Sequence, residues 1–166
     1  MKETISHHSR QIDLYLPTVH HSEVFAQHLA KCVTSPMVMT FSGDIGAGKT
    51  TIIRALLRAM GVRCSIKSPT FSLVETYEVP DAHFHHFDLY RIVDESELEF
   101  LGFRDYFQSD AICCIEWPER ITMNPDQIDM AITIVQAGDG RELSLHIQEH
   151  LIPTVHLYLQ DFKNNK

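Results

Sequence analysis

Three features of the sequence predict an α/β fold with a central sheet flanked by helices. First, the apolar run Met37-Val38-Met39-Thr40-Phe41 leads into Gly43-Asp44-Ile45-Gly46-Ala47-Gly48-Lys49-Thr50. Thr51 to Met60 follows with Ile52, Ile53, Leu56, Leu57 and Met60 at helical spacing, and Gly61 supplies a stop. Second, Ala111-Ile112-Cys113-Cys114-Ile115 is a continuous apolar run of the kind found in central strands. Third, Ile128 to Ile134 and Leu143 to Ile147 alternate cleanly on either side of Gly138-Asp139-Gly140, which reads as an antiparallel hairpin. The octapeptide fits G-x-x-x-x-G-K-[ST] in its strand, loop and helix setting, so it reads as a P-loop. The expected architecture is a P-loop NTPase-like three-layer domain, with a mostly parallel or mixed sheet and a C-terminal β-hairpin.

The remaining elements fall around this unit. Gln11-Ile12-Asp13-Leu14-Tyr15-Leu16 alternates as a strand does, and Pro17 ends it. Ser22 with Glu23 is placed to cap a helix running to about Val33, with Phe25, Leu29, Cys32 and Val33 on one face. After the P-loop helix, Ser68-Pro69-Thr70-Phe71 is a turn and a strand follows from Leu73 to Glu78. Pro80-Asp81 then turns the chain into His83 to Arg91, a strand ending near Asp88. Asp94 to Leu101 fits a short helix, and Tyr106 with Phe107 fits another. The tail from His150 carries the run Val155-His156-Leu157-Tyr158-Leu159, which the sequence alone assigns to no element.

Composition narrows the function. A chain of 166 residues with 44% hydrophobic content suits one domain, 1–166. A formal charge of −8 and a pI near 5.7 argue against a protein that grips nucleic acid through its own phosphate contacts. Cys32, Cys64, Cys113 and Cys114 show no C-x-x-C spacing and are expected as reduced, buried thiols, which fits a cytoplasmic location. No stretch approaches the roughly 20 apolar residues of a membrane span, and Met1 to Arg10 lacks the apolar core of a signal peptide.

The P-loop residue types have a physical reason. Phosphate oxygens approach backbone N–H groups closely only where side chains do not obstruct, and Gly43, Gly46 and Gly48 meet that need. The start of the following helix adds free N–H groups and the positive end of a dipole. Lys49 is the expected contact of the β and γ phosphates of ATP, and the Thr50 hydroxyl the expected Mg2+ ligand. Hydrolysis also needs a carboxylate for the metal, a group to orient the attacking water and a sensor of the γ-phosphate. Glu116, after the strand 111–115, is the candidate metal-associated acid, against a plain surface acid after a strand. Asp88 either binds the metal through water, orients the attacking water, or pairs with Arg91. Thr70 is the candidate switch hydroxyl in what is otherwise only a turn, and Trp117 either walls the site or belongs to core or interface. His83, His85 and His86 are better read as sheet histidines than as a metal site, since His85 and His86 point to opposite faces of a strand.

Taken in order, Gly-Asp-Ile-Gly-Ala-Gly-Lys-Thr-Thr (43–51), Ser-Pro-Thr-Phe (68–71), His-Phe-Asp-Leu-Tyr-Arg (86–91) and Ile-Glu-Trp-Pro-Glu (115–119) resemble the TsaE family. These are the P-loop ATPases of bacterial tRNA threonylcarbamoyladenosine biosynthesis. The resemblance covers about residues 10–148 and leaves 149–166 as an extension. It implies an ATPase that works with TsaB-like and TsaD-like partners, the latter transferring threonylcarbamoyl to the adenosine beside the anticodon. By the same resemblance Asp44, Ile45, Ala47 and Thr51 belong to the nucleotide cradle, with Thr51 a further phosphate-side hydroxyl. Glu116 matches the family's own acid, Asp88 an acid needed for hydrolysis, Thr70 the switch-like loop and Trp117 the aromatic beside the acid.

Other uses of a P-loop remain as alternatives. A small-molecule kinase would add a lid, and no arginine-rich lid segment is present. A GTPase would carry N-K-x-D, which is absent. A nucleotide-sensing adaptor is not separable by sequence. No arginine finger is evident; Arg91 is a candidate by its nearness to Asp88, and a partner supplying the charge in trans would leave the isolated chain slow.

Overall fold

The structure is a computed structural model that describes residues 3–5 and 9–164. Residues 1, 2 and 6–8 of the Met1–Arg10 stretch and the last two residues of the polar C-terminal end lie outside the described residues. The strands are β1 (Glu3–Ile5), β2 (Ser9–Leu16), β3 (Met37–Ser42), β4 (Val74–Val79), β5 (Ala82–Asp88), β6 (Ala111–Glu116), β7 (Met130–Ala137) and β8 (Gly140–Gln148). The helices are α1 (Val19–Ala30), α2 (Lys49–Ala59), α3 (Ser96–Phe100) and α4 (Ile152–Asn164). All eight strands form one sheet in the order β1-β2-β8-β7-β3-β6-β5-β4. Its centre, β7-β3-β6-β5, is parallel, and antiparallel strands extend it on both sides.

Alternation within each strand assigns the two faces. Ile12, Leu14 and Leu16 of β2, Ile132 and Ile134 of β7, and Leu143, Leu145 and Ile147 of β8 are buried in one large cluster with α1, α2 and α4. The opposite face of β5 and β6 presents Phe87, Ala111, Cys113 and Ile115 to a smaller cluster. That cluster includes Leu98 of α3 with Phe103, Tyr106 and Phe107 in and just after a 3-10 turn at Phe103–Tyr106. The fold is thus three-layered and α/β, with a thick helical layer and a thin one. The predicted hairpin forms, and it lies inside the sheet between β2 and β3, so it flanks the P-loop strand directly.

Two expectations are adjusted by the structure. Helix α1 begins at Val19 and not at Ser22, because Thr18, directly after the strand-ending Pro17, takes the N-cap with extended φ/ψ and accepts from His21 N. Cys64 is exposed, whereas Cys32, Cys113 and Cys114 are buried; all four are free thiols. Burial pushes the Cys32 thiol up to about 11 and Cys113 up to about 12, which removes thiolate character at neutral pH.

The tail that periodicity did not assign is helix α4, packed on α1. Val155, Leu159 and Phe162 are buried, Phe162 meets Phe25 edge-on at 6.0 Å, and His28 Nδ1 lies 3.0 Å from Tyr158 O. Leu159→Ala is expected to destabilise the protein by about 2–4 kcal/mol, the range for emptying a fully buried leucine site. Urea unfolding checks this. A loss below about 0.5 kcal/mol, the size of an ordinary surface change, would mean that α4 decorates the core without belonging to it.

Candidate functional site

The site lies at the C-terminal ends of the parallel strands, where β3 passes into the P-loop and α2. Gly43 opens the loop because nothing larger fits: a Cβ there would stand 2.4 Å from Ile134 O of β7. Gly48 forms the α2 N-cap with φ 110, a left-handed value. Lys49, only 5% exposed, donates from Nζ to Gly43 O (2.7 Å) and Asp44 O (2.8 Å) beneath the Trp117 ring, 4.1 Å from its centroid. No carboxylate of the described residues forms an ion pair with it. Burial pushes the lysine below its ordinary value, opposed by the fields of Glu116 and Asp88. A buried cation satisfied only by carbonyls and a ring has capacity left for an anion.

Beside it, the Thr50 hydroxyl donates to Glu116 Oε1 and Oε2 at 2.8 and 3.1 Å. Register explains the meeting of the acids, since Asp88 of β5 pairs with Glu116 of β6 at the ends of neighbouring parallel strands. Both are buried, at 5% and 2% exposure. Asp88 accepts from Thr70 Oγ1 (2.9 Å) through Oδ2 and from Tyr90 N (3.0 Å) through Oδ1, and Ser68 Oγ lies 2.8 Å from Thr70 Oγ1. The switch-like loop is therefore bonded to the β5 acid. Arg91 does not pair with Asp88; its guanidinium stacks over Phe71 at 4.1 Å. Trp117 also meets Tyr90, with centroids 4.9 Å apart.

The donor set suits a magnesium nucleotide. Thr50 and Glu116 offer hard oxygens from two adjacent positions, and magnesium is commonly held by one or two protein oxygens with phosphates and water completing the shell. Thr51, exposed one residue on, lines a cleft of about 110 Å³ with Thr18, Val19, Ser22, Asp139 and Arg141. Ile45, at the loop tip, is 71% exposed.

The comparisons with known proteins give the chain's family. A family model described as "Threonylcarbamoyl adenosine biosynthesis protein TsaE" matches residues 16–143. The chain belongs to the TsaE family. It is 43% identical over 128 residues to the tRNA threonylcarbamoyladenosine biosynthesis protein TsaE of Haemophilus influenzae, covering 76% of this chain and 81% of that one. The Bacillus subtilis protein of the same name is 37% identical over 108 residues, covering 64% and 67%. Among solved structures, Bacillus subtilis YdiB superposes with a TM-score of 0.72 over 96% of this chain and 99% of that chain, at 22% identity, so it speaks to the fold.

Two residues of this TsaE-family site escaped the sequence reading. His86 is fully buried and its Nε2 lies 2.8 Å from Glu116 Oε1, while Nδ1 has no partner among the described residues. Strand alternation placed His86 on the face opposite His85, and the parallel pairing of β5 with β6 is what sets it beside the acid. Arg141 lies against the P-loop, in a cleft it shares with Gly46, Gly48 and Thr51, donating to Ala47 O at 2.7 Å, and only the folded hairpin brings it there. The third histidine, His83, lies with Asp110 at 2.9 Å on the sheet surface, and His85 meets Thr76 and Tyr106, away from the P-loop residues.

Proposed function

We propose that this chain is the magnesium-dependent ATPase subunit of the tRNA threonylcarbamoyladenosine-modification machinery. In this reading it acts with TsaB-like and TsaD-like proteins and reaches tRNA through them. The observation that carries the proposal is the buried, carboxylate-free Lys49 set beside the Thr50–Glu116 pair, in a chain of the TsaE family. Lys49 and the backbone of 43–51 hold the phosphates, with Asp44, Ile45 and Ala47 forming the wall of the loop and Thr51 adding a hydroxyl. Thr50 and Glu116 hold the metal, which when bound neutralises charge on the β and γ oxygens.

Asp88 orients the attacking water and accepts its proton. Thr70, bonded to Asp88, ties the position of the switch-like loop to that carboxylate. Trp117 shields the Lys49 ammonium from water on the side away from the loop. Arg91 is engaged by Phe71, so positive charge for the transferring group is left to a partner, and the isolated chain turns over slowly.

Steady-state ATP hydrolysis tests the reading, measured for the chain alone and with its cognate TsaB-like and TsaD-like proteins. Glu116→Ala serves as the blank. Stimulation by about tenfold or more that vanishes in the variant is the expected result, with about 10³–10⁵-fold the upper range that trans-acting charge supplies. Equal hydrolysis with and without partners would instead indicate an independent NTPase or a small-molecule kinase.

A further inference from the structure

The sheet brings one arginine against the backbone of the phosphate loop. Arg141 is the second residue of β8, paired across the sheet with Leu16 of β2 and Gln136 of β7. Its placement depends on Gly140, where a Cβ would stand 2.6 Å from Tyr15 Oη and 2.7 Å from Leu16 O, so the hairpin tip can lie tight against β2. From there Arg141 Nε donates to Ala47 O (2.7 Å), Nη2 approaches Gly46 O (3.5 Å) and Nη1 donates to Gly140 O (2.8 Å). The partners in the loop are 94 and 95 residues away in sequence.

A trans peptide is planar, and its C=O and N–H point in opposite directions. Turning Ala47 O onto the guanidinium therefore turns the Gly48 N–H to the other side of the loop. The Ala47 N–H, by contrast, is taken by Asp44 O at 3.1 Å, so the longer contact to Gly46 O steadies the turn without freeing a donor. Lys49 performs the matching task for the first half of the loop, holding Gly43 O and Asp44 O. Lys49 and Arg141 between them thus contact four of its carbonyls. An unclamped glycine-rich loop would have to find this arrangement each time an anion arrives, at an entropic cost.

We propose that Arg141 is a positioning residue for nucleotide phosphates: by holding the Ala47 carbonyl, with a longer contact to Gly46 O, it fixes the Gly48 N–H in the orientation that receives an anion. This deepens the nucleotide-binding reading above and rests on it.

The test compares the full chain with Arg141→Gln and Arg141→Lys, using Mg-ADP titration by calorimetry, ATP hydrolysis in the presence of partners, and the Gly48 amide resonance. Arg141→Gln is expected to weaken ADP binding and raise KM for ATP by about 10–50-fold, as befits loss of a charge-assisted bond. Its kcat should stay within about threefold, the Gly48 amide should shift and broaden without nucleotide, and Arg141→Lys should recover part of the affinity. A parallel fall in kcat with unchanged KM, or unchanged ADP affinity in a folded Arg141→Gln chain, would overturn the inference. Should Arg141→Gln not fold, full ADP affinity in Arg141→Lys with an unmoved Gly48 resonance would overturn it equally. Absence of ADP binding by the unaltered chain would instead sink the nucleotide-binding reading itself.

Discussion

Lys49→Ala is expected to abolish nucleotide binding while leaving the protein folded. The ammonium is buried beside the loop, and its bonds to phosphate oxygens would be charge-assisted at both ends. Losing them should weaken binding of a non-hydrolysable ATP analogue by about 100-fold or more. Stability should hardly change, because two opposing effects are removed together. Burial of the ammonium disfavours its charged form, and the bonds to Gly43 O and Asp44 O with the Trp117 ring contact offset that cost. A melting temperature within a few degrees of the parent, with hydrolysis lost, is the expected pair of results. Hydrolysis at the parental rate would contradict the assignment of the loop.

Asp88→Asn separates chemistry from binding. Asparagine keeps an oxygen for Tyr90 N but has no basicity and turns an amide donor toward the Thr70 hydroxyl. Partner-stimulated kcat is expected to fall by about 10²–10⁴-fold, the usual contribution of a positioned base, with ATP affinity changed less than about threefold. Single-turnover kinetics beside equilibrium binding would read both quantities. A variant that instead loses affinity and retains kcat would place Asp88 among the phosphate or metal contacts and leave the orienting role without a holder.

How much of this was legible in the sequence depends on how local each signal is. The P-loop strand and helix, the hairpin at Gly138 and the carboxylates at the ends of β5 and β6 are written in short windows, because a glycine loop, a period of two and an acid closing an apolar run each occupy fewer than a dozen residues. Helix α4 was harder: its buried positions Val155, Leu159 and Phe162 fall at helical spacing, but His156, Leu157 and Tyr158 between them blur the stripe. Thr18 was overlooked as a cap because Ser22-Glu23 offers the same chemistry a turn later. His86 and Arg141 were invisible as site residues for a different reason. Their partners Glu116 and Ala47 are 30 and 94 residues distant, and only strand order and register bring them together.

The unequal thickness of the two layers has a consequence for motion. One face of the sheet is sealed by three helices that bury most of the apolar core, whereas the other is covered by a five-residue helix, short turns and loops around a much smaller cluster. The free energy of local opening follows such differences in buried contact, so it is low on the thin side and close to the global value on the thick one. Helix α2, with Ile52, Ile53, Leu56 and Leu57 in the large cluster, is expected in the slowly exchanging part, and the segments bearing Tyr90 and Trp117 in the part that opens more readily. The molecule is built as a firm anvil with a thinner cover, and amide exchange is expected to show the segment of Trp117, over Lys49, opening at lower free energy than helix α2.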